Sequence, residues 1–279
     1  MFNIPAYTIL LIFTVFPMIY CFYVSLQKYD LTRPPTMFIG LGNYQNLLTH
    51  SIFWISLGNT LVFTFSSLLL MFLTSLGLAL LLNEPLRGVS KLRALIVTPW
   101  AIPPIVTGIA WAWIFDAKYG IANYLLSSFG LTPFLWLSSP TLAMFSVVFA
   151  RSWHEITFGT LMLLAGLQSI PPDLYEAAKV DGANALNRFV HITLPLLRNY
   201  IALVLIFETM WCLREFSIIY AMTYGGPGTA TTVLGWLAYK LAFLYYDFGK
   251  GAALAVILSV LTMISAAAYI KLIYRRIEY

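Results

Sequence analysis

An all-α membrane bundle of about six transmembrane helices is the fold this sequence predicts, and three observations carry it. Hydrophobic residues fill 60% of the 279 positions and charged residues only 10%, against about 25% charged in a soluble domain whose surface must face water. The mean hydropathy is +0.82. Four long stretches, Ile4 to Gln27, Ile52 to Asn83, Ala94 to Phe115 and Gly251 to Ile270, carry no charge at all. Too few charges remain to coat a wet surface, so much of the exterior must face lipid. A hydrocarbon core about 30 Å thick needs about 20 apolar residues per helix, which each stretch supplies.

The first span, about residues 4–27, has no basic residue before it and is long for the apolar region of a cleavable signal peptide, so it reads as a retained helix. An exterior segment from Lys28 to Ser51 follows, with turn signals at Arg33-Pro34-Pro35 and Gly40-Leu41-Gly42. The second span, about 52–83, stops at Asn83-Glu84-Pro85, and a basic turn leads into the third, about 94–115. Pro99, Pro103 and Pro104 interrupt that third span. Proline removes a backbone donor and kinks a helix, which a membrane tolerates only where neighbours re-satisfy the freed carbonyls. The sequence leaves open whether these kinks shape a cavity or serve packing alone. Spans four and five, about 140–165 and 199–222, are apolar but interrupted by ionisable residues, and the sixth covers about 250–274. Together the spans make one membrane domain over residues 1–279. Cys21 and Cys212 lie within spans at no metal-binding or redox spacing, and read as buried apolar residues.

The net charge of +5 fits membrane orientation better than nucleic-acid binding. Nine basic residues fall on one side: Arg87, Lys91, Arg93, Lys179, Arg188, Arg198, Lys271, Arg275 and Arg276. Five fall on the other: Lys28, Arg33, Lys118, Lys240 and Lys250. Cytoplasmic loops are the ones enriched in Lys and Arg, which places both termini in the cytoplasm.

The longest cytoplasmic segment, residues 166–197, has helical punctuation. Pro171 and Pro172 start a short helix with Asp173 in its first turn, where the helix dipole favours a negative charge. Leu174, Ala177 and Ala178 give it one apolar face. Asp181-Gly182 breaks it, Asn184 can cap a second short helix running toward Ile192, and Pro195 marks the join to span five. Two short amphipathic helices at an angle suit either docking into a partner's groove or lying on lipid.

Within that segment, Glu176-Ala177-Ala178, then Gly182, then Ile192, Leu194 and Pro195, fix seven positions over 20 residues. This run resembles the cytoplasmic signature of permease subunits of bacterial and archaeal ATP-binding-cassette importers. The surrounding sequence is similar to their carbohydrate-uptake branch, the maltose and glycerol-3-phosphate type. The matching stretches are Leu164 to Pro171, Tyr224-Gly225-Gly226-Pro227-Gly228, Asp247 to Ala253, Gly40 to Tyr44 and Thr98 to Pro103. The resemblance implies a type I importer fold in which a coupling helix, here carrying Glu176, Ala177, Ala178, Asp181 and Gly182, sits in a cleft of the ATPase. It also implies a homologous second permease subunit, two copies of the ATPase and an extracytoplasmic sugar-binding protein. ATP and Mg would be bound by the ATPase, leaving this chain without a cofactor. Thr157 stands where relatives often have proline, so a bend in span four is left open.

Span four carries Arg151, His154 and Glu155, and span five carries Glu208, Arg214 and Glu215. A charge at a helix centre costs about 3 kcal/mol, so such residues face the bundle interior or a watery path. Arg151 and Glu155, four residues apart, share a helix face and can pair with each other alone. In the transporters this chain resembles, the stretch before Tyr220 lines the substrate pocket. By that resemblance Arg214, Glu215 and Tyr220 would bond sugar hydroxyls, and Trp211 and Phe216 would stack on a sugar face. Arg214 and Glu215 stand where relatives often have uncharged polar residues, which points to an unusual substrate or to a local ion pair between them.

Enzyme readings find no support: His154-Glu155 lacks the second His of a zinc-protease motif because Phe158 stands there, and Gly249-Lys250 lacks a phosphate-loop frame. A secondary transporter driven by an ion gradient would want a repeat between the halves, and would leave the cytoplasmic motif without a role. An importer permease for a non-sugar solute is the other alternative.

Overall fold

The computed structural model describes residues 4–85 and 88–272. Arg87, Arg275 and Arg276, which enter the charge count, and the last residues of the sixth span lie outside them. Helix α1 is Ile4–Ser25, wound in a wider π register over Leu11–Val15, just ahead of Pro17, which has no N–H to give. A two-stranded hairpin, β1 (Gln27–Lys28) and β2 (Met37–Phe38), pairs Gln27 with Phe38. Helix α2 (Gly42–Thr49) is tied to it by Asn43, whose amide donates to the carbonyls of Ser25 and Gln27 at 2.8 and 2.7 Å.

Helix α3 (Ser51–Asn83) shows how the bundle is built. Its buried face runs through Ser56, Thr60, Thr64, Ser67, Met71, Ser75 and Ala79, and lipid-ready Leu61, Val62, Phe65, Leu69 and Leu73 are exposed. In a bilayer apolar side chains gain nothing by leaving lipid, so close packing of small residues drives association. The partner is α7 (Pro140–Gln168). A Cβ at Gly159 would lie 2.6 Å from Ser75 Oγ, Ser75 donates to the Ile156 carbonyl at 3.1 Å, and Ser152 reaches that of Ser67 at 3.3 Å.

The third span departs from the single kinked helix expected. It is two helices, α4 (Val89–Ala101) and α5 (Pro104–Ile114), bent by 99°. Pro103 and Pro104 lack the N–H groups that would continue the ladder. The short helix α6 (Ile121–Ser128) follows. Thr157 on α7 donates to the carbonyl of Ile96 on α4, and α7 runs unbroken through the position where relatives often have proline.

The segment expected to be cytoplasmic holds one separate short helix, α8 (Pro172–Val180). The second short helix expected there is instead the start of α9 (Ala185–Leu213), continuous through Pro195 because the chain widens to a π register over Phe189–Thr193. Asn184 caps it, accepting the Asn187 N–H at 2.8 Å. Span five also does not reach Met222: α9 stops at Leu213, and α10 (Ser217–Met222) begins after a break. Helices α11 (Leu234–Leu244) and α12 (Phe248–Leu272) complete the chain.

Four described helices are long and apolar enough to cross a membrane, or five if the bent α4–α5 pair counts as one. Helix α7, with 29 residues, has the length but a polar middle. Helices α5 and α10, each following a break, pack together at Gly108, where a Cβ would lie 2.6 Å from that of Ala221. Behind them Val147, Ile218, Ile219 and Trp236 form one buried core.

Candidate functional site

Two helix breaks lie near each other, at residues 102–103 and 214–216, and an open cavity of about 600 Å³ lies between them. Irregular backbone at membrane depth survives only where protein re-satisfies it or where it lines a cavity. Both conditions hold. Pro103 and Pro104 line the cavity, so the kinks do shape it.

Helix α7 re-satisfies both breaks. His154 Nε2 lies 2.9 Å from the Ile102 carbonyl oxygen, which can only accept, so the ring nitrogen is the donor. Glu215 Oε1 accepts the Ile218 N–H at 3.1 Å, in the first turn of α10. Glu215 is itself held by α7 through Arg151, whose Nε lies 3.2 Å from Glu215 Oε2. This last contact is an ion pair without hydrogen-bond alignment.

Arg151 is therefore the hub. Nη1 lies 2.9 Å from Glu155 and Nη2 3.3 Å from Glu208. The pairing of Arg151 with Glu155 read from the sequence is present, and two carboxylates from α9 and the following break join it. No contact pairs Arg214 with Glu215 among the described residues; instead Arg214 Nε donates to the Met210 carbonyl at 3.1 Å.

Six of the seven candidate pathway residues line this cavity: Arg151, Glu155, Trp211, Arg214, Glu215 and Phe216. Tyr220 does not. It sits one turn along α10, in ring contact with Tyr224 at 5.4 Å and Trp236 at 5.5 Å. Phe216 uses one ring face against Tyr239, 5.0 Å away and nearly parallel. Trp100 and His154 also line the cavity, and sequence reasoning assigned them no role there. The sequence marks Glu208 only as a charge within a span, and helical spacing does not relate it to Glu215, because α9 ends at Leu213 between them.

In and just after α8, Glu176, Ala177, Asp181 and Gly182 are exposed and Ala178 is half-buried. No residue of α8 is buried. Gly182 has a φ of +79°, the left-handed state that glycine adopts freely. The Tyr175 hydroxyl meets Thr193 Oγ1 at 3.0 Å and holds α8 against α9. Val180 and Leu186 flank the Gly182 turn at 88% and 68% exposure, an apolar face left uncovered among the described residues.

Residues 71–279 match the family described as the binding-protein-dependent transport system inner membrane component. The trehalose/maltose transport system permease protein MalF of Thermococcus litoralis is 42% identical over 271 residues, covering 96% of this chain and 90% of its own length. The sulfoquinovosyl glycerol transport system permease protein SmoG of Agrobacterium fabrum is 39% identical over 270 residues, covering 96% of this chain and 88% of its own length. Among solved structures, a bacterial ABC transporter involved in import of the acidic polysaccharide alginate superposes with a TM-score of 0.82 at 25% identity, covering 95% of this chain and 91% of that one.

Proposed function

The chain belongs to the family of binding-protein-dependent transport system inner membrane components, and from that premise we propose that it is the permease subunit of an importer that carries a sugar or sugar derivative into the cytoplasm. The single observation that carries the reading is the cavity between the two helix breaks. It brings together aromatic faces from Trp100, Trp211 and Phe216 with hydrogen-bonding groups of Glu155, Arg214 and Glu215. Rings that stack on sugar faces and charged groups that bond hydroxyls are the two things a sugar site needs.

In this reading six spans cross the membrane, counting α4–α5 as one and including α7, with both termini in the cytoplasm. The hairpin and the start of α12 share one side, since the Leu31 N–H donates to the Tyr246 carbonyl at 3.1 Å and the Gly249 N–H to that of Tyr29 at 3.1 Å. Helix α8 lies at the other. Its exposed apolar flank and the Gly182 turn support docking of Glu176, Ala177, Ala178, Asp181 and Gly182 into an ATPase that binds ATP and Mg. A homologous second permease, a pair of ATPase subunits and an extracytoplasmic sugar-binding protein complete the proposed assembly.

Reconstitution tests this. The complex purified through this chain, placed in proteoliposomes with the binding protein outside, takes up labelled sugar only with ATP and Mg inside. Uptake driven by an ion gradient without ATP would instead favour a secondary transporter.

A further inference from the structure

Tyr220 misses the cavity, yet it belongs to a row of rings that starts there. Phe216, Tyr220 and Tyr224 stand four residues apart, the spacing that stacks side chains along one side of a helix. Phe216, at the head of α10, lines the cavity. It lies 5.0 Å from Tyr239, which lies 6.3 Å from Tyr220, which lies 5.4 Å from Tyr224. Trp236 is fully buried behind the row, in ring contact with Tyr220, Tyr224 and Tyr239. Tyr220 and Tyr224 remain 37% and 54% exposed.

The turn that carries Tyr224 is fastened from several sides. The Tyr224 N–H donates to the Ile219 carbonyl at 2.8 Å, and the hydroxyls of Thr223 and Thr231 meet at 2.7 Å. Asn59 of α3 donates to the carbonyls of Thr229 and Thr232 at 2.8 and 3.1 Å. Tyr224 itself has a φ of +54°, a strained state for any residue with a Cβ. Glycine would serve that turn better, so the strain is held for the sake of the ring. Asn59 lies near the start of α3, and the α3 residues beside α8 are Leu80, Asn83 and Glu84, at its other end. The exposed tyrosines therefore lie toward the end of the bundle opposite α8.

We propose that Tyr220 and Tyr224 form an entry subsite, where a sugar unit stacks before it passes along the row to Phe216 and the cavity. A tyrosine ring offers an apolar face to the C–H side of a sugar and a hydroxyl to its polar rim. This inference rests on the reading of the cavity as the path of a sugar, and adds a second place on that path.

The test uses the complex of both permeases and the ATPase in nanodiscs, without binding protein. The probes are uncharged sugars of one to three units, with binding read by saturation-transfer NMR. At least one sugar is expected to keep a signal in Trp211→Ala, which strips a ring from the cavity alone. In that background Tyr224→Ala and Tyr220→Ala, one in the turn and one in the helix, are each expected to lower the signal at least threefold. Tyr224→Phe keeps the ring and is expected to retain more than half. A signal abolished by Trp211→Ala, or one that neither alanine variant lowers, would overturn the entry subsite alone and leave the tyrosines facing lipid or the second permease. Binding of no sugar to the unaltered complex would overturn the cavity reading as well.

Discussion

Arg151 and Glu215 lie 3.2 Å apart, and that contact ties the middle of α7 to the break between α9 and α10. Glu215 then bonds the first turn of α10 through the Ile218 N–H. One buried guanidinium thus ties α10 to α7, by way of a carboxylate that lines the cavity.

Removing the hub should cost more than removing one spoke. Arg151→Met leaves the buried Glu208 without its cation and takes the guanidinium from Glu155 and the half-buried Glu215 as well, and breaking a buried ion pair from one side costs about 3–5 kcal/mol. Glu208→Gln leaves Arg151 with two carboxylates and should cost about 1.5–3 kcal/mol, in the range of a charged hydrogen bond. The thermal midpoint of the purified permease complex reads the difference. A Glu208→Gln midpoint as low as that of Arg151→Met would show that Arg151 is not the hub.

His154 donates to the carbonyl left open at the α4–α5 break. His154→Ala should leave that carbonyl unpaired at membrane depth and cost about 1–3 kcal/mol. His154→Gln keeps a donor and should recover most of the loss. Equal midpoints for the two variants would mean that the hydrogen bond does not support the break.

Topology is checked by labelling. A cysteine at Thr36 or Lys240 should react with an impermeant thiol reagent from outside, and one at Lys179 only after the membrane is opened. Exterior labelling at position 179 would invert the proposed orientation.

The turn at Gly182 should be sensitive to shape rather than to space. Nothing lies within 4 Å of a Cβ built on Gly182, so Gly182→Val meets no clash within this chain. Its cost is backbone strain at a φ of +79°, about 1–3 kcal/mol. A bulky or charged residue at Ala178 should obstruct docking. Either change should leave membrane insertion intact and lower ATPase retention or uptake. Wild-type retention and uptake in both would remove α8 from the coupling path.

Much of this was legible in the chain itself. Uncharged stretches mark spans because hydropathy is a local sum over about 20 residues, and Ile4–Ser25, Ser51–Asn83 and Phe248–Leu272 follow it closely. Asp181-Gly182 and Asn184 mark the cytoplasmic turn because capping and left-handed backbone are properties of single residues and their near neighbours. Tertiary structure alone decided the cavity. Arg151 meets Glu208 and Glu215 across 57 and 64 positions, a pairing set by which faces α7 and α9 turn to each other. The prolines at 103 and 104 announced a disturbance, but the 99° bend depends on a His154 that reaches the freed carbonyl from another helix. Tyr220 shares a short stretch with Phe216 yet misses the cavity, because α10 starts at Ser217 and turns it toward Trp236. Contacts between helices depend on rotation and break position, which no local run of residues encodes.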